Sequence, residues 1–166
     1  DITLATIQIN PEQSNQFGVV DVYKDGRVNG FEEKPKFTRL RSPLNPQKVG
    51  GSMGVYLFNA DVLIPVLLKD AENPQSSHDF GKDIIPAMIK KNRVFAFDFS
   101  KGDQGGTGYW RDVGTIDAYF EANMDLVSVP PQLNLHDPQW PIFTYQSSDP
   151  PAKTVLEEEG RMGTAI

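Results

Sequence analysis

The stretch FGVVDVYKDGRVNGFEE, Phe17 to Glu33, decides the fold. Two runs rich in Val and aromatic residues, Phe17 to Tyr23 and Val28 to Glu33, flank Asp25-Gly26, a dipeptide suited to the positive φ angles of a tight turn. They predict an antiparallel hairpin. Upstream, Ile2, Leu4, Ile7 and Ile9 alternate imperfectly until Asn10-Pro11, which predicts a mostly buried strand. Downstream, Lys36 to Lys48 holds two prolines and several basic residues with little periodicity, and is expected to be a mobile surface loop. Val49 to Phe58 returns to strand composition, with Gly50, Gly51 and Gly54 where backbone or ligand can approach closely.

Helices follow. Ala60 to Lys69 has an apolar side, and Pro65 is expected to kink it or confine it to two short turns. Ile84 to Lys91 reads as a second helix with Asp83 as N-cap and Pro86 in its first turn. Val94 to Phe99 is an aromatic-rich strand and Lys101 to Gly108 a glycine-rich loop. Thr115 is placed to cap a helix whose Ile116, Tyr119, Phe120 and Val127 mark one apolar face, expected to pack firmly on a sheet. From Val129 to Pro151 the chain is proline-rich, with Trp140, Ile142, Phe143 and Tyr145 available to pin it to a surface. Strands interleaved with helices, plus a hairpin, imply an α/β layered domain with a mixed sheet.

Composition bounds the partners. The chain of 166 residues has 39% apolar residues, enough for one real core, and a net charge of −6 that argues against nucleic-acid or anionic-membrane partners. It has no cysteine, so disulfides and thiolate metal sites are excluded and a reducing cytosol is permitted. No apolar stretch approaches the roughly 18 residues needed to span a bilayer. Asp1 to Ile9 lacks the basic start of a signal peptide and reads as a strand entered midway, so the chain is expected to be an internal piece of a longer protein.

Four segments put polar groups at strand ends or strand-to-helix turns, where α/β proteins build ligand sites: FEEKP (Phe31 to Pro35), SMGVY (Ser52 to Tyr56), SHDFGKD (Ser77 to Asp83) and YWRDVGT (Tyr109 to Thr115). Proline after Lys34 is expected to fix an extended exit that aims the ammonium into a cleft, where it suits a phosphate; a solvated Glu33-Lys34 pair is the plainer reading. Ser52 beside glycines can bond a sugar hydroxyl or be an ordinary strand serine. Asp79 ahead of a helix is by default a cap or loop carboxylate. Asp112 can ligate Mg²⁺, although an isolated Asp more often does not, and Trp110 is more often packing than a sugar platform. Gly105 to Gly108 lacks the lysine and hydroxyl of a P-loop and is read as a flexible turn. His78 and His136 show no partner pattern for a triad or a zinc site and are expected in surface or structural roles.

Taken in order, FGVV, FEEKP, SMGVYLF, SSHDFGKDIIP, GYWRDVGTIDAYFEANMDL, WPIFTY and PPAK resemble the bacterial ADP-glucose pyrophosphorylases, within the wider sugar-nucleotide pyrophosphorylase family. The motifs cover nearly the whole chain; Glu-Lys-Pro is moderately specific, and HDFGKD followed by YWRDVGT is much more so. The resemblance implies a Rossmann-like, GT-A-type nucleotidyltransferase domain lacking its N-terminal nucleotide-binding half, with residues 1–150 as the glucose-1-phosphate half and 151–166 as a linker approaching a β-helix. It implies that Glu33 and Ser52 bind glucose, that Lys34 binds the phosphate of glucose 1-phosphate, and that Tyr56, Asp79, Phe80 and Trp110 surround the sugar. Asp112 resembles one of two aspartates that hold a catalytic Mg²⁺. The implied reaction transfers AMP from ATP to glucose 1-phosphate, giving ADP-glucose for glycogen synthesis, in a cytoplasmic, allosteric homotetramer. The glycine-rich nucleotide loop and the second metal aspartate of the family have no counterpart here, so the chain by itself is expected to be inactive. The alternatives are another sugar-1-phosphate nucleotidyltransferase and a non-catalytic regulatory subunit of the same fold.

Overall fold

The computed structural model describes residues 1–101, 108–138, 141–145, 148, 154–156 and 163–165. In chain order the regular elements are β1 (Ile2–Ile9), β2 (Gly18–Val22), β3 (Val28–Glu33), β4 (Val49–Phe58), α1 (Ala60–Ala71), α2 (Ile85–Ile89), β5 (Val94–Asp98), α3 (Ile116–Met124), β6 (Thr154–Val155) and β7 (Thr164–Ala165). Short 3-10 turns follow β1 and β5, and a π-helical turn, Phe80–Ile84, leads into α2. The chain divides into two compact units, Asp1–Gly108 and Tyr109–Ile166.

The first unit is built on a five-stranded sheet of order β3-β2-β4-β1-β5. β1 runs antiparallel to β4 and parallel to β5, while β2 is antiparallel to both β3 and β4, so the sheet is mixed as the interleaved pattern implied. The β2–β3 hairpin turns at Gly26, the one residue of the turn at positive φ (+86°), and the Gly26 N–H donates to the Tyr23 carbonyl at 3.0 Å. The turn also reaches β5: the Ala96 N–H donates to the Gly26 carbonyl at 2.9 Å, and Arg27 forms an antiparallel bridge with Phe95.

Alternation along the strands sends Ile2, Leu4, Val20, Val28 and Val94 to the face covered by the π turn and α2, where they form one cluster with Ile84, Ile85 and Met88. Each such side chain contributes about 1.5–3 kcal/mol by leaving water. On the opposite face Ile9, Val19 and Val49 form a second buried cluster, while at the other end Thr3, Leu57 and Phe95 lie side by side in register, with Leu57 73% and Phe95 38% exposed.

Several expectations change. The 36–48 segment is irregular but tied down: Thr38 and Ser42 are buried, Leu40 packs against Ile9, Val19 and Val49, and the Lys48 ammonium donates to Asn10 Oδ1 at 2.7 Å. α1 runs unbroken through Pro65. Both Asp61, whose carbonyl loses its donor, and Pro65 are exposed, so water supplies the missing partner. The second helix begins earlier than Asp83: Asp79 caps it, its Oδ1 accepting the N–H groups of Gly81 (2.8 Å) and Lys82 (2.9 Å).

In the second unit Thr115 caps α3 as expected, its hydroxyl accepting the Ala118 N–H at 3.1 Å. α3 nevertheless buries no residue, and Ile116, Tyr119 and Phe120 are exposed; only Val127, beyond the helix end, is buried, next to Gly163. Ile142, Phe143 and Tyr145 are exposed rather than pinned. Within this unit the buried Asp125 carboxylate gathers part of YWRDVGT: it takes Arg111 in a bidentate pair (2.7 and 2.9 Å), the Tyr109 hydroxyl (3.0 Å) and Gln132 (3.1 Å). Burial, and then the hydrogen bond to Asp125 and its charge, push the Tyr109 phenol above its ordinary range. Trp140, most of the 101–108 loop and the 151–153 boundary lie outside the described residues.

Candidate active site

Three elements of the first unit converge. β3 ends at Glu33, β4 supplies Ser52 and Tyr56, and the capped π turn supplies Asp79 and Phe80. Ser52 and Tyr56 are four residues apart, a separation of about 13 Å along a regular strand. The β1–β4 register explains how they meet: Leu4 faces Tyr56 and Thr6 faces Ser52, so three residues of β4, Met53 to Val55, stand opposite the single Ala5 of β1. The surplus forms a bulge at Gly54, which takes φ +72° with nothing within 4 Å of where a Cβ would stand. The bulge leaves the Ser52 hydroxyl 3.4 Å from the Tyr56 hydroxyl and lets it accept the Gly54 N–H at 3.3 Å.

The Tyr56 ring stacks on Phe80, with centroids 5.8 Å apart and planes at 28°, and Phe58 closes the triangle at 6.1 Å from Tyr56 and 5.8 Å from Phe80. Gly81 is buried directly against Glu33: a Cβ there would stand 2.2 Å from Glu33 Oε2 and 3.3 Å from Asp79 Oδ1. The site brings two carboxylates close together, both against Gly81. Glu33 is held above its ordinary carboxylate range by burial and then by the Asp79 charge, a rise that Lys34 and Lys82 partly offset. Burial raises the Tyr56 phenol too; the Ser52 hydrogen bond opposes that rise, while the charges of Glu33 and Asp79 add to it.

Lys34 departs from expectation. The residue before a proline is normally extended, but Lys34 sits at φ +45°. Its N–H continues the hairpin ladder to the Phe17 carbonyl at 3.1 Å, and the next residue's carbonyl, on Pro35, accepts the Ser14 hydroxyl at 3.3 Å. These bonds hold the sharp bend in place, and the Lys34 side chain is exposed beside Glu33. Lys82, which sequence reading did not single out, adds a second positive charge felt by Glu33; its signal was the lysine inside HDFGKD.

Trp110 and Asp112 belong to the second unit. Trp110 is half-buried, and Asp112 is exposed with its carboxylate next to Gly114. Among the described residues no group of three His, Cys, Asp or Glu side chains could hold a metal. Magnesium commonly takes only one or two protein carboxylates and completes its shell with phosphate oxygens and water, so Asp112 fits as a single ligand. Of the histidines, the His78 ring pairs with Asp70 and His136 is exposed. A cavity of about 80 Å³ lies elsewhere in the first unit, between Thr6, Gln8, Ser42 and Asp98, and shares no residue with the site.

Residues 1–129 match the family model described as nucleotidyl transferase. The chain belongs to the nucleotidyl transferase family. Within it, the chain is 58% identical over 166 residues to a protein of Koribacter versatilis named glucose-1-phosphate adenylyltransferase, covering all of this chain and 40% of that protein. Relatives of the same name from Methylobacillus flagellatus and Shewanella sp. strain ANA-3 are 51% and 47% identical, over 99% and 100% of this chain and 39% and 40% of their own length. The chain thus spans about two fifths of the length of these nucleotidyl transferases. Among the described residues no helix is long and apolar enough to cross a membrane.

Proposed function

We propose that this nucleotidyl transferase chain forms the sugar-phosphate half of an enzyme that transfers AMP from ATP to glucose 1-phosphate, giving ADP-glucose and pyrophosphate for glycogen synthesis. The observation that carries the reading is the convergence of Glu33, Ser52, Tyr56, Asp79 and Phe80 from three elements into one side-chain cluster, in a chain whose relatives at up to 58% identity bear that enzyme's name.

The chemistry suits the groups present. Glu33 and Asp79 accept sugar hydroxyls, Ser52 and Tyr56 exchange hydrogen bonds with them, and the stacked Tyr56 and Phe80 rings give the pyranose an apolar wall. Lys34, exposed at the end of β3, places a point charge on the sugar's phosphate. An oxygen of that phosphate attacks the α-phosphorus of ATP; the new O–P bond forms as the bond to pyrophosphate breaks. The attacking oxygen is already ionised near neutral pH, so no protein base is needed, and the protein's contribution is alignment and charge neutralisation. Asp112 would hold Mg²⁺, which when bound supplies positive charge to the reacting phosphates. The intact enzyme is proposed to be a cytoplasmic, allosterically regulated homotetramer, and this chain by itself to be inactive.

Replacing Lys34 by alanine in the enzyme that contains this chain is expected to raise KM for glucose 1-phosphate at least tenfold and leave KM for ATP nearly unchanged, since a hydrogen bond to a charged group supplies about 1.5–3 kcal/mol. Unaltered sugar-phosphate kinetics would refute the catalytic reading in favour of a scaffold.

A further inference from the structure

The segment Ser76-Ser77-His78-Asp79, which delivers Asp79 and Phe80 to the pocket, is gripped from two sides by carboxylates that the site itself does not use. Asp70, in the last turn of α1, accepts the Ser76 hydroxyl on Oδ1 at 2.7 Å and pairs through Oδ2 with His78 Nδ1 at 2.8 Å. The Ser76 oxygen in turn accepts the His78 N–H at 3.0 Å. Asp83, in the π turn, accepts three hydrogen bonds on Oδ2: the Ser77 N–H at 3.2 Å, the Ser77 hydroxyl at 2.5 Å and the Asp79 N–H at 3.2 Å. Residues 76 and 78 therefore go to one carboxylate and residues 77 and 79 to the other.

Two features of this arrangement run against local preference. A carboxylate in the last turn of a helix faces the negative end of the helix dipole, so Asp70 is unfavourable there on its own. His78 takes φ +58°, a left-handed conformation that is uncommon for non-glycine residues, although His, Asn and Asp reach it more often than most. Each supplies what the other needs. The ring of His78, 55% exposed, reaches back over the loop to the Asp70 carboxylate, 15% exposed, which also accepts the Ser76 hydroxyl. His78 immediately precedes Asp79, whose Oδ1 is committed to Gly81 and Lys82. The direction in which the chain enters Asp79 thus sets where its other carboxylate oxygen and the Phe80 ring stand.

We propose that His78, through its bond to Asp70, is a positioning residue for the sugar-phosphate pocket, fixing the entry of the chain into Asp79 and Phe80. This rests on the function proposed above. The test is steady-state kinetics of the full-length enzyme that contains this chain, with three variants. His78→Gly accepts the left-handed backbone freely but has no ring, His78→Asn tolerates that backbone and offers an amide N–H to Asp70, and His78→Ala tolerates neither.

Gly and Ala are expected to raise KM for glucose 1-phosphate about tenfold, the worth of one charge-assisted hydrogen bond, with KM for ATP unchanged; Asn is expected to recover most of the loss. Should the Ala variant not fold, Gly and Asn decide. Wild-type kinetics in His78→Gly would overturn the proposal, because backbone conformation alone would then suffice. Parallel losses in both KM values and in Tm would overturn it also, as the mark of general destabilisation. If the wild-type enzyme uses another sugar 1-phosphate, the glucose assignment fails while the positioning role is scored on that sugar's KM; turnover of no sugar 1-phosphate sinks both.

Discussion

Replacing Gly81 by alanine moves one carboxylate without attacking the fold around it. The new methyl would stand 2.2 Å from Glu33 Oε2 and 2.8 Å from its Cδ, so the carboxyl must retreat by about 1 Å to reach an ordinary contact distance. The obstructing atoms are the far end of a side chain with several rotatable bonds. The Gly81 backbone lies outside the left-handed region, and alanine there is favoured over glycine by about 0.4–1 kcal/mol through the unfolded state. Thermal stability should therefore stay within a few degrees of the parent. The sugar hydroxyl that Glu33 accepts in the proposed function would lose a charged partner worth about 1.5–3 kcal/mol, which is a rise of about 10-fold to 100-fold in KM for glucose 1-phosphate. Kinetics with each substrate varied in turn, alongside a melting curve, provide the assay. An unchanged sugar-phosphate KM in a folded variant would show that the Glu33 carboxylate does not touch substrate, and a large fall in Tm would show that Gly81 serves packing first.

The raised Glu33 carboxyl makes stability depend on pH. With a folded pKa above the ordinary glutamate value of 4.5, the native state binds the extra proton, so stability is lost as pH rises from below 4.5 through the folded value and is level above it. Glu33→Gln should therefore gain on the parent across that window in melting curves run from about pH 4 to pH 7, and a constant difference would refute the assignment. Gly54→Ala should cost about 1–2 kcal/mol in urea denaturation despite the open space around it, because alanine is forced to φ +72°; Gly54→Asn should recover part of the loss, and a neutral alanine variant would mean that the bulge is not needed.

Much of this was legible in the residues. Imperfect alternation placed β1, strand composition placed β4 and β5, and Asp25-Gly26 placed the hairpin, because strand-forming side chains and a positive φ are local demands that a sequence displays directly. The pocket residues came from motif order, and the structure brings five of them together in the first unit. What escaped was set by tertiary context. Pro65 survives inside α1 because that stretch faces water, a fact about the neighbourhood rather than the residue. Asp83 and Asp79 are equally good caps on paper; the π turn, whose extra residue per turn shifts the register, selects Asp79 and turns Asp83 back onto Ser77. The apolar face of α3 read as a packing stripe, yet Ile116 is 88% exposed. Lys34 broke the proline rule because a ladder hydrogen bond and the Ser14 contact outweigh it.

The bond between the Gly26 carbonyl and the Ala96 amide gives the hairpin tip a second duty. β5 is the last strand of its sheet, and its outer margin would otherwise be a template for recruiting another chain. Folding the Asp25-Gly26 tip over that margin, with Arg27 bridging Phe95, plugs it from within. A longer or more flexible tip would uncover the margin, and molecules so altered should join strand to strand at concentrations where the parent stays dispersed.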